Sequence, residues 1–375
     1  MDDTTLHDAA RRSLEAGRAL PAWCYTSADF FRAEIEHIHR RNWIFAGRTD
    51  ELKAPGDYRT IDTVGGPVIL LRDADGVLRA FANCCRHRGS LLLTGTGNAQ
   101  SIVCPYHAWS YRLDGALLAA PGMARTPGFD KAAHALAAVR METWQGFMFI
   151  NFDRAAPPLL EHLGDLPEIL GSYRFGDMVC TWRAEIACRC NWKLLVENSL
   201  EAYHTGSVHA ATVGAQREEI IPTRGDWVCL QVLSERSVAV LTDQPPFPPI
   251  DGLDAQARKG TYFTMILPAT QFACAQDAMW WLAMRPEAPD RTILSLGGCF
   301  PASTVARPDF HQHVQAYYDR WQRVAQEDVG ILEAQQQGLT SILYKPGPLS
   351  SRDALVTAVD TWVLNHIPKS QQHGP

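Results

Sequence analysis

No stretch of this chain approaches eighteen uninterrupted apolar residues, so it offers no candidate for a membrane-spanning helix. Its opening Met1-Asp2-Asp3 leads into no apolar core of a signal peptide, so export is not expected. No basic patch interleaved with aromatics occurs: the formal net charge is −6 and the basic residues cluster only in short pairs such as Arg11-Arg12, so no nucleic-acid partner is expected. A glycine-rich dinucleotide fingerprint is missing as well, so no dinucleotide-binding domain is expected in this chain. Ten cysteines scattered over 375 residues do not form a disulfide framework and point to the cytoplasm. A chain of this length can bury more than one core, so two domains are the expectation.

What the sequence does contain is a pair of mixed Cys/His half-motifs, Cys85-x-His87 and, sixteen residues on, Cys104-x-x-His107. Two thiolates and two imidazoles can fill a structural zinc site, or they can hold the two irons of a Rieske [2Fe–2S] cluster. The order favours the cluster. Zinc fingers usually pair Cys with Cys and His with His, whereas each half-motif here supplies one of each, as suits two loops that each give a ligand to both irons. Cys84 lies one residue off the spacing and reads as a bystander.

Ser27 is a plausible N-cap for a helix in which Phe30, Phe31, Ile35 and Ile38 recur at helical spacing up to Trp43. Beyond it the texture becomes that of a small antiparallel β domain. Apolar runs at Thr60 to Thr63, Pro67 to Leu71 and Leu78 to Asn83 are broken by Gly65-Gly66 and by the turn Asp73-Ala74-Asp75-Gly76. Both half-motifs then fall on loops after strands, where ligands can converge. Asp114-Gly115 marks another hairpin, β texture resumes at Gly146 to Asn151, and Pro157-Pro158 opens a helical stretch. The domain boundary is placed near residue 153.

A second constellation follows Asn191-Trp192-Lys193. No proline interrupts residues 191–209, and Leu194, Leu195, Val196 and Leu200 read as the buried face of one helix. On it Glu201 and His204 share a side. His204 and His209, five apart, are separated by roughly 140° on an ideal helix, too far for one ion. A break or bulge at Gly206 could bring both imidazoles to a single metal. Such a pair with a carboxylate and open positions would suit O2-activating iron. Glu327, Asp328 and Glu333 lie in a helical stretch from Asp309 to about Gly338.

Together, the paired Cys/His loops and the Asn-Trp-Lys…Glu-Asn…Glu…Tyr-His…His segment resemble the oxygenase (α) component of Rieske non-haem iron oxygenases, over nearly the whole length. The resemblance implies an α+β fold. Residues 44–153 would be the Rieske domain and residues 154–375 a catalytic domain with an antiparallel sheet covered by helices, a helix-grip, against which residues 1–43 pack. It implies Cys85 and Cys104 on one cluster iron, His87 and His107 on the other, and His204, His209 and Asp328 on a mononuclear Fe(II), with Glu327 or Glu333 as fallbacks for the third ligand. Asn198 would be a catalytic-site residue. Glu201 would bridge His107 of one subunit and His204 of a neighbour in a homotrimer, fixing both imidazoles. Many members have Asp there; Glu resembles the branch of carnitine, glycine betaine and stachydrine oxygenases. The implied partners are a separate NAD(P)H-dependent flavin and iron–sulfur reductase, directly or through a ferredoxin, with O2 as co-substrate and a small organic molecule as substrate.

Residues 226–300 read as strands roofing the iron: Val228 to Leu233, Ser237 to Leu241, Tyr262 to Leu267, Met279 to Met284 and Thr292 to Phe300. Tyr262, Phe263, Phe272, Trp280 and Trp281 concentrate there, either as core or as an aromatic cage for a quaternary ammonium. Residues 210–260, with Pro245-Pro246-Phe247-Pro248-Pro249, read as including a long surface loop. A stand-alone Rieske electron carrier and a zinc-dependent binding protein are the readings from other classes; iron, sulfide and zinc analysis separates them.

Overall fold

The computed structural model describes residues 3–368. The chain divides into two compact units, Arg40–Leu159 and the remainder, in which the residues up to His39 join those from Leu160 onward. These divisions fall a few residues from the expected 43 and 153, for a local reason. Trp43 Nε1 donates to the Pro157 carbonyl at 3.1 Å and the Leu159 amide to Glu142 at 2.9 Å, so both Trp43 and the 154–159 segment stay with the smaller unit.

The smaller unit is built on antiparallel strands β1 (Ile44–Arg48), β2 (Asp57–Ile61), β3 (Val68–Arg72), β4 (Leu78–Ala82), β5 (Thr96–Asn98), β6 (Ile102–Val103), β7 (Ser110–Tyr111), β8 (Leu117–Ala119), β9 (Ala138–Trp144) and β10 (Phe147–Asn151). Seven form one sheet in the order β1-β10-β9-β4-β3-β2-β5, and β6-β7-β8 form another. Between β3 and β4, Asp73 Oδ1 accepts from the amides of Asp75 and Val77 at 3.0 and 2.8 Å, while Gly76 takes a φ of 80°, which closes the turn. Strand β3 is buried on both sides. Ile69 and Leu71 join Cys85, Cys104, Trp109 and Tyr111 in one core, and Val68 and Leu70 join Met148 and Ile150 in another, as period-2 alternation requires.

The larger unit carries a seven-stranded antiparallel sheet, β11 (Met178–Cys188), β12 (Glu218–Ile221), β13 (Trp227–Leu233), β14 (Gly260–Ile266), β15 (Thr270–Cys274), β16 (Met279–Ala288) and β17 (Arg291–Pro301), in the order β11-β17-β16-β15-β14-β13-β12. The expected strand at Ser237 to Leu241 is absent. That segment turns instead, with the Ser237 hydroxyl on Asp277 and Ala239 and Val240 buried beside Phe247. Phe247 itself is buried, stacked on Phe310 and Tyr317, so part of the proline-rich loop is core and not surface. Strand β15 was not anticipated, because only Leu267-Pro268-Ala269 separates it from β14 and the apolar run masks the turn.

Helix Phe310–Gly338 buries Phe310, Val314, Tyr317, Trp321, Ala325, Val329 and Leu332, a stripe at spacings of three and four. Trp321 sits over Gly298 so closely that a Cβ there would lie 1.9 Å from the ring, so only glycine admits this contact. The Ser27 hydroxyl caps helix Ala28–Glu34 by accepting from the Phe30 amide at 3.3 Å. Beyond Glu34 the chain winds as a π-helical turn over Ile35–His39 and stops there, short of Trp43.

Within this unit Lys193 pairs with Glu34, both fully buried, and His39 lies edge-on to Trp192 at 4.5 Å. Burial, aided by the nearby Lys193 cation, pushes the His39 imidazole down to about 3. The folded state therefore binds fewer protons than the unfolded chain at this site between about pH 6.5 and 3, so its stability should fall as pH drops through that window, by about 1.4 kcal/mol per pH unit. Urea midpoints at pH 7, 6 and 5 for wild type and His39→Phe should diverge, the variant losing less. Parallel pH dependences would show that His39 titrates normally.

Cluster loops and a candidate mononuclear metal site

In the smaller unit two tight loops face one another. In the first, the Gly89 amide closes on Cys85 O at 3.0 Å, with Gly89 at a φ of 75°. In the second, Ala108 N closes on Cys104 O at 3.0 Å, with Ala108 at a φ of 56°, a conformation costly for a residue with a Cβ. Cys85 and Cys104 are buried, His87 is exposed and His107 half-buried. The His87 and His107 rings stand 4.7 Å apart, and His87 stacks on the buried Trp109 at 4.8 Å. Burial opposes ionisation of Cys104, yet the amides of Tyr106 and His107 hold its thiol below the ordinary range, as a metal-binding thiolate requires. All four residues of the expected cluster set thus converge, thiols inward and imidazoles outward, a donor set that fits a cluster with one Cys-bound and one His-bound iron.

Tyr111 was not singled out from the sequence. Its hydroxyl accepts the Arg86 amide at 3.0 Å and lies 3.3 Å from Cys85 Sγ, so its own hydrogen is free to point at the sulfur. Hydrogen bonds to cluster sulfurs raise the reduction potential. Tyr111→Phe should lower it by about 40–60 mV, taking one such bond as roughly 1 kcal/mol. Redox titration followed by EPR measures this, and an unchanged potential would remove Tyr111 from the argument.

In the larger unit residues 191–209 do not form one helix. The Asn191 side chain caps helix Trp192–Asn198, the backbone then loosens over 199–203, and a single turn, Thr205–Val208, follows. The break falls before His204 and not at Gly206 as expected. His204 and His209 flank the short turn, and their rings approach to 5.2 Å between centroids. Glu201 causes part of the break: its carboxylate accepts from the Tyr203 amide and, at 3.0 Å, from the His204 amide, bonds a continuous helix would give to earlier carbonyls.

His204, His209 and Asp328 each present one ligand atom within 4.8 Å of the others. Both Nε2 atoms face Asp328 Oδ1, at 3.5 Å from His204 and 2.9 Å from His209. The opposite ring nitrogens are held by other carboxylates: His204 Nδ1 by Glu201 at 2.6 Å, His209 Nδ1 by Glu327 at 2.8 Å. With each Nδ1–H held outward, a metal would take the inward Nε2 lone pairs in place of a proton. Asp328 Oδ1 is buried and makes no well-directed hydrogen bond. Burial alone would raise Asp328, but the two imidazoles hold it down at about 2; against the same penalty, Asp328 and then Glu201 lift His204 to about 9. Two imidazoles and an orphaned carboxylate oxygen aimed at one point fit a divalent iron. Glu327 is turned to His209 and Thr212, and Glu333 is spent on Arg189, so neither reaches that point.

Beside the triad lies a partly open cavity between the sheet and helix Phe310–Gly338, lined also by Asn198. Of the five aromatics named from the sequence, Phe263 and Trp280 line it. Tyr262, Phe272 and Trp281 do not, because they are the strand neighbours or cross-strand partners that the pleat turns to the opposite face: Phe272 pairs with Trp281 and packs on Phe175, and Tyr262 packs on Tyr173. Sequence reading passed over Gln271, Trp321 and Arg320, which also face the cavity. Helical spacing from Asp328 could have found Trp321 and Arg320, seven and eight residues before it on the same side.

A Rieske-type cluster domain joined to a sheet-and-helix domain with a two-histidine, one-carboxylate pocket defines a Rieske non-haem iron oxygenase. The comparisons agree: residues 42–130 match the Rieske [2Fe-2S] domain and residues 175–369 the ring hydroxylating alpha subunit (catalytic domain). The chain belongs to the ring-hydroxylating alpha subunit family, and is the terminal oxygenase subunit of a Rieske oxygenase with a [2Fe–2S] cluster and a mononuclear iron. It is 28% identical over 376 residues to the glycine betaine monooxygenase oxygenase subunit of Chromohalobacter salexigens, covering 90% of this chain and 83% of that one. It is 38% identical over 192 residues to the carnitine monooxygenase oxygenase subunit of Acinetobacter pittii, 50% of this chain and 52% of that one. The crystal structure of the quaternary ammonium Rieske monooxygenase CntA with L-carnitine superimposes with a TM-score of 0.77 at 26% identity, over 94% of this chain and 96% of that one. Naphthalene 1,2-dioxygenase with bound indole shares the fold, at a TM-score of 0.75 and 20% identity over 94% and 92%. No helix among the described residues is long and apolar enough to cross a membrane.

Proposed function

We propose that this oxygenase subunit hydroxylates an N-methyl-bearing quaternary ammonium compound, with Cys85, His87, Cys104 and His107 holding the cluster and His204, His209 and Asp328 holding the iron. The observation that carries the site assignment is the convergence of both Nε2 atoms on Asp328 Oδ1 at the edge of a partly open cavity. The cluster supplies single electrons, and the iron supplies O2 activation. The chain's own residues do the rest. Glu201 holds His204 Nδ1 and, in a head-to-tail homotrimer, would reach His107 of a neighbouring subunit, giving the electron a short hydrogen-bonded route. Glu327 holds His209 Nδ1. Electrons come from NAD(P)H through a separate reductase, directly or by way of a ferredoxin, in the cytoplasm.

The balance is R–H + O2 + NAD(P)H + H⁺ → R–OH + H2O + NAD(P)⁺. On an N-methyl carbon the product is a hydroxymethyl ammonium, which collapses to the tertiary amine, formaldehyde and a proton. The quaternary ammonium assignment draws on the relatives' substrates and on the aromatic lining supplied by Phe263 and Trp321. The test is a product screen with a surrogate reductase, pairing betaines against phenolic methyl ethers and aromatic acids. Formaldehyde stoichiometric with a demethylated betaine is the expected result. Turnover confined to the aromatic compounds would overturn the substrate assignment.

A further inference from the structure

One charged group in the cavity has no role in holding either metal. Arg320 lines the cavity, is 4% exposed, and its guanidinium lies 4.9 Å from the Trp280 ring centroid. No hydrogen bond or ion pair is found for it among the described residues, and its Nε is buried without a partner. Among the lining residues it is the one lysine or arginine. Burial lowers it to about 10, with Asp328 and Glu327 opposing, so it remains a cation at neutral pH. A buried, unpaired cation is expensive, and proteins keep one where a ligand supplies the counter-ion. The guanidinium fork is suited to a carboxylate, which it can bind through two parallel N–H donors. Arg320 precedes Asp328 by eight residues on one helix, about 12 Å along the axis, a distance the arginine arm can shorten.

We propose that Arg320 is a specificity-determining residue that binds the carboxylate of the substrate, so that the substrate class is a carboxylate-bearing molecule presenting its reactive carbon to His204, His209 and Asp328. This deepens the reading of the cavity as the substrate site. It also constrains that reading: the Trp280 face already carries a guanidinium, so a permanent cation lacking an anionic group is repelled, whereas a betaine zwitterion supplies the missing charge.

The test is anaerobic binding to the iron-loaded holoenzyme, read by tryptophan fluorescence and by the ligand-induced shift in melting temperature. Two matched pairs serve as probes: glycine betaine against choline, and 4-methoxybenzoate against its primary amide. Wild type should prefer the carboxylate of at least one pair. In Arg320→Gln that preference should fall at least tenfold, and Arg320→Lys, which keeps the charge and loses the fork, should fall between. Iron content, cluster absorption and the ligand-free melting temperature serve as the folding control, and Arg320→Lys carries the test if the glutamine variant fails to fold.

A carboxylate preference unchanged within threefold in the variants, or no preference in wild type, overturns the proposal. The two readings fail separately. A loss seen only with the aromatic pair leaves Arg320 in place and removes the quaternary ammonium assignment; betaines demethylated with an unmoved preference do the reverse.

Discussion

Glu201→Gln should retain both metal sites and lose coupled turnover. In the larger unit the Glu201 carboxylate does two things at once: it accepts backbone amides of Tyr203 and His204 and holds His204 Nδ1 at 2.6 Å. Gln is nearly isosteric, but its one carbonyl oxygen can keep only one of these two sets of bonds; with that oxygen on His204 Nδ1 the ring position should survive, and iron should remain near three per chain: two in the cluster and one mononuclear. What Gln lacks is the negative charge and the second acceptor oxygen with which one carboxylate could bridge two imidazoles. Outer partners of metal-bound histidine typically contribute about 10–100-fold to activity. The expected loss in product formation is at the upper end of that range or beyond, because electron delivery is affected together with ligand orientation. The decisive measurement is rapid mixing of the reduced, substrate-bound variant with O2: cluster reoxidation should slow in proportion to product formation. Unimpaired reoxidation with full product yield would sink the bridging role.

Asp328→Ala should have the other large effect, and a distinguishable one. Removing the carboxylate takes away one of three convergent ligand atoms and the group that, ahead of Glu201, raises His204 to about 9. Both imidazoles then face a site with no anion, and a divalent ion loses its charge partner. Iron should drop from about three to about two per chain with the cluster spectrum intact, and product formation should vanish. Glu333→Ala is the control. That residue is committed to the Arg189 amide at 2.9 Å and its guanidinium, and its loss should leave iron content unchanged. Glu327→Ala should lie between, weakening iron retention by about 10–100-fold because it frees His209 Nδ1. If Asp328→Ala retained three irons while Glu327→Ala lost one, the carboxylate assignment would have to be exchanged.

Local pattern carried much of this. The Cys85/His87 and Cys104/His107 loops, the Asp73–Gly76 turn, the Ser27 cap and the helix from Phe310 were legible because each depends on residues close in sequence, whose conformational preferences act whatever the rest of the chain does. Errors arose where a side chain captured the chain in a way periodicity does not register, locally at Glu201 and at long range at Asp277. Residues 199–203 contain no proline and pass as helix by periodicity, yet the Glu201 carboxylate captures the amides that would continue it. Ser237 to Leu241 has the composition of a strand, but Asp277, forty residues on, binds the Ser237 hydroxyl and turns the chain.

By itself the sequence determined the ligand types, their spacing within each half-motif and the helix that bears the carboxylates, since these are properties of neighbours. Which of Glu327, Asp328 and Glu333 faces the histidines was a tertiary decision: they project at different angles from one helix, and only the packing of that helix against the sheet and the 192–209 segment selects among them. The cavity wall was decided in the same way. Phe263 and Trp280 line it while Tyr262 and Trp281 back it, because strand register sets which face of the pleat each neighbour occupies, and register is fixed by pairing between distant strands.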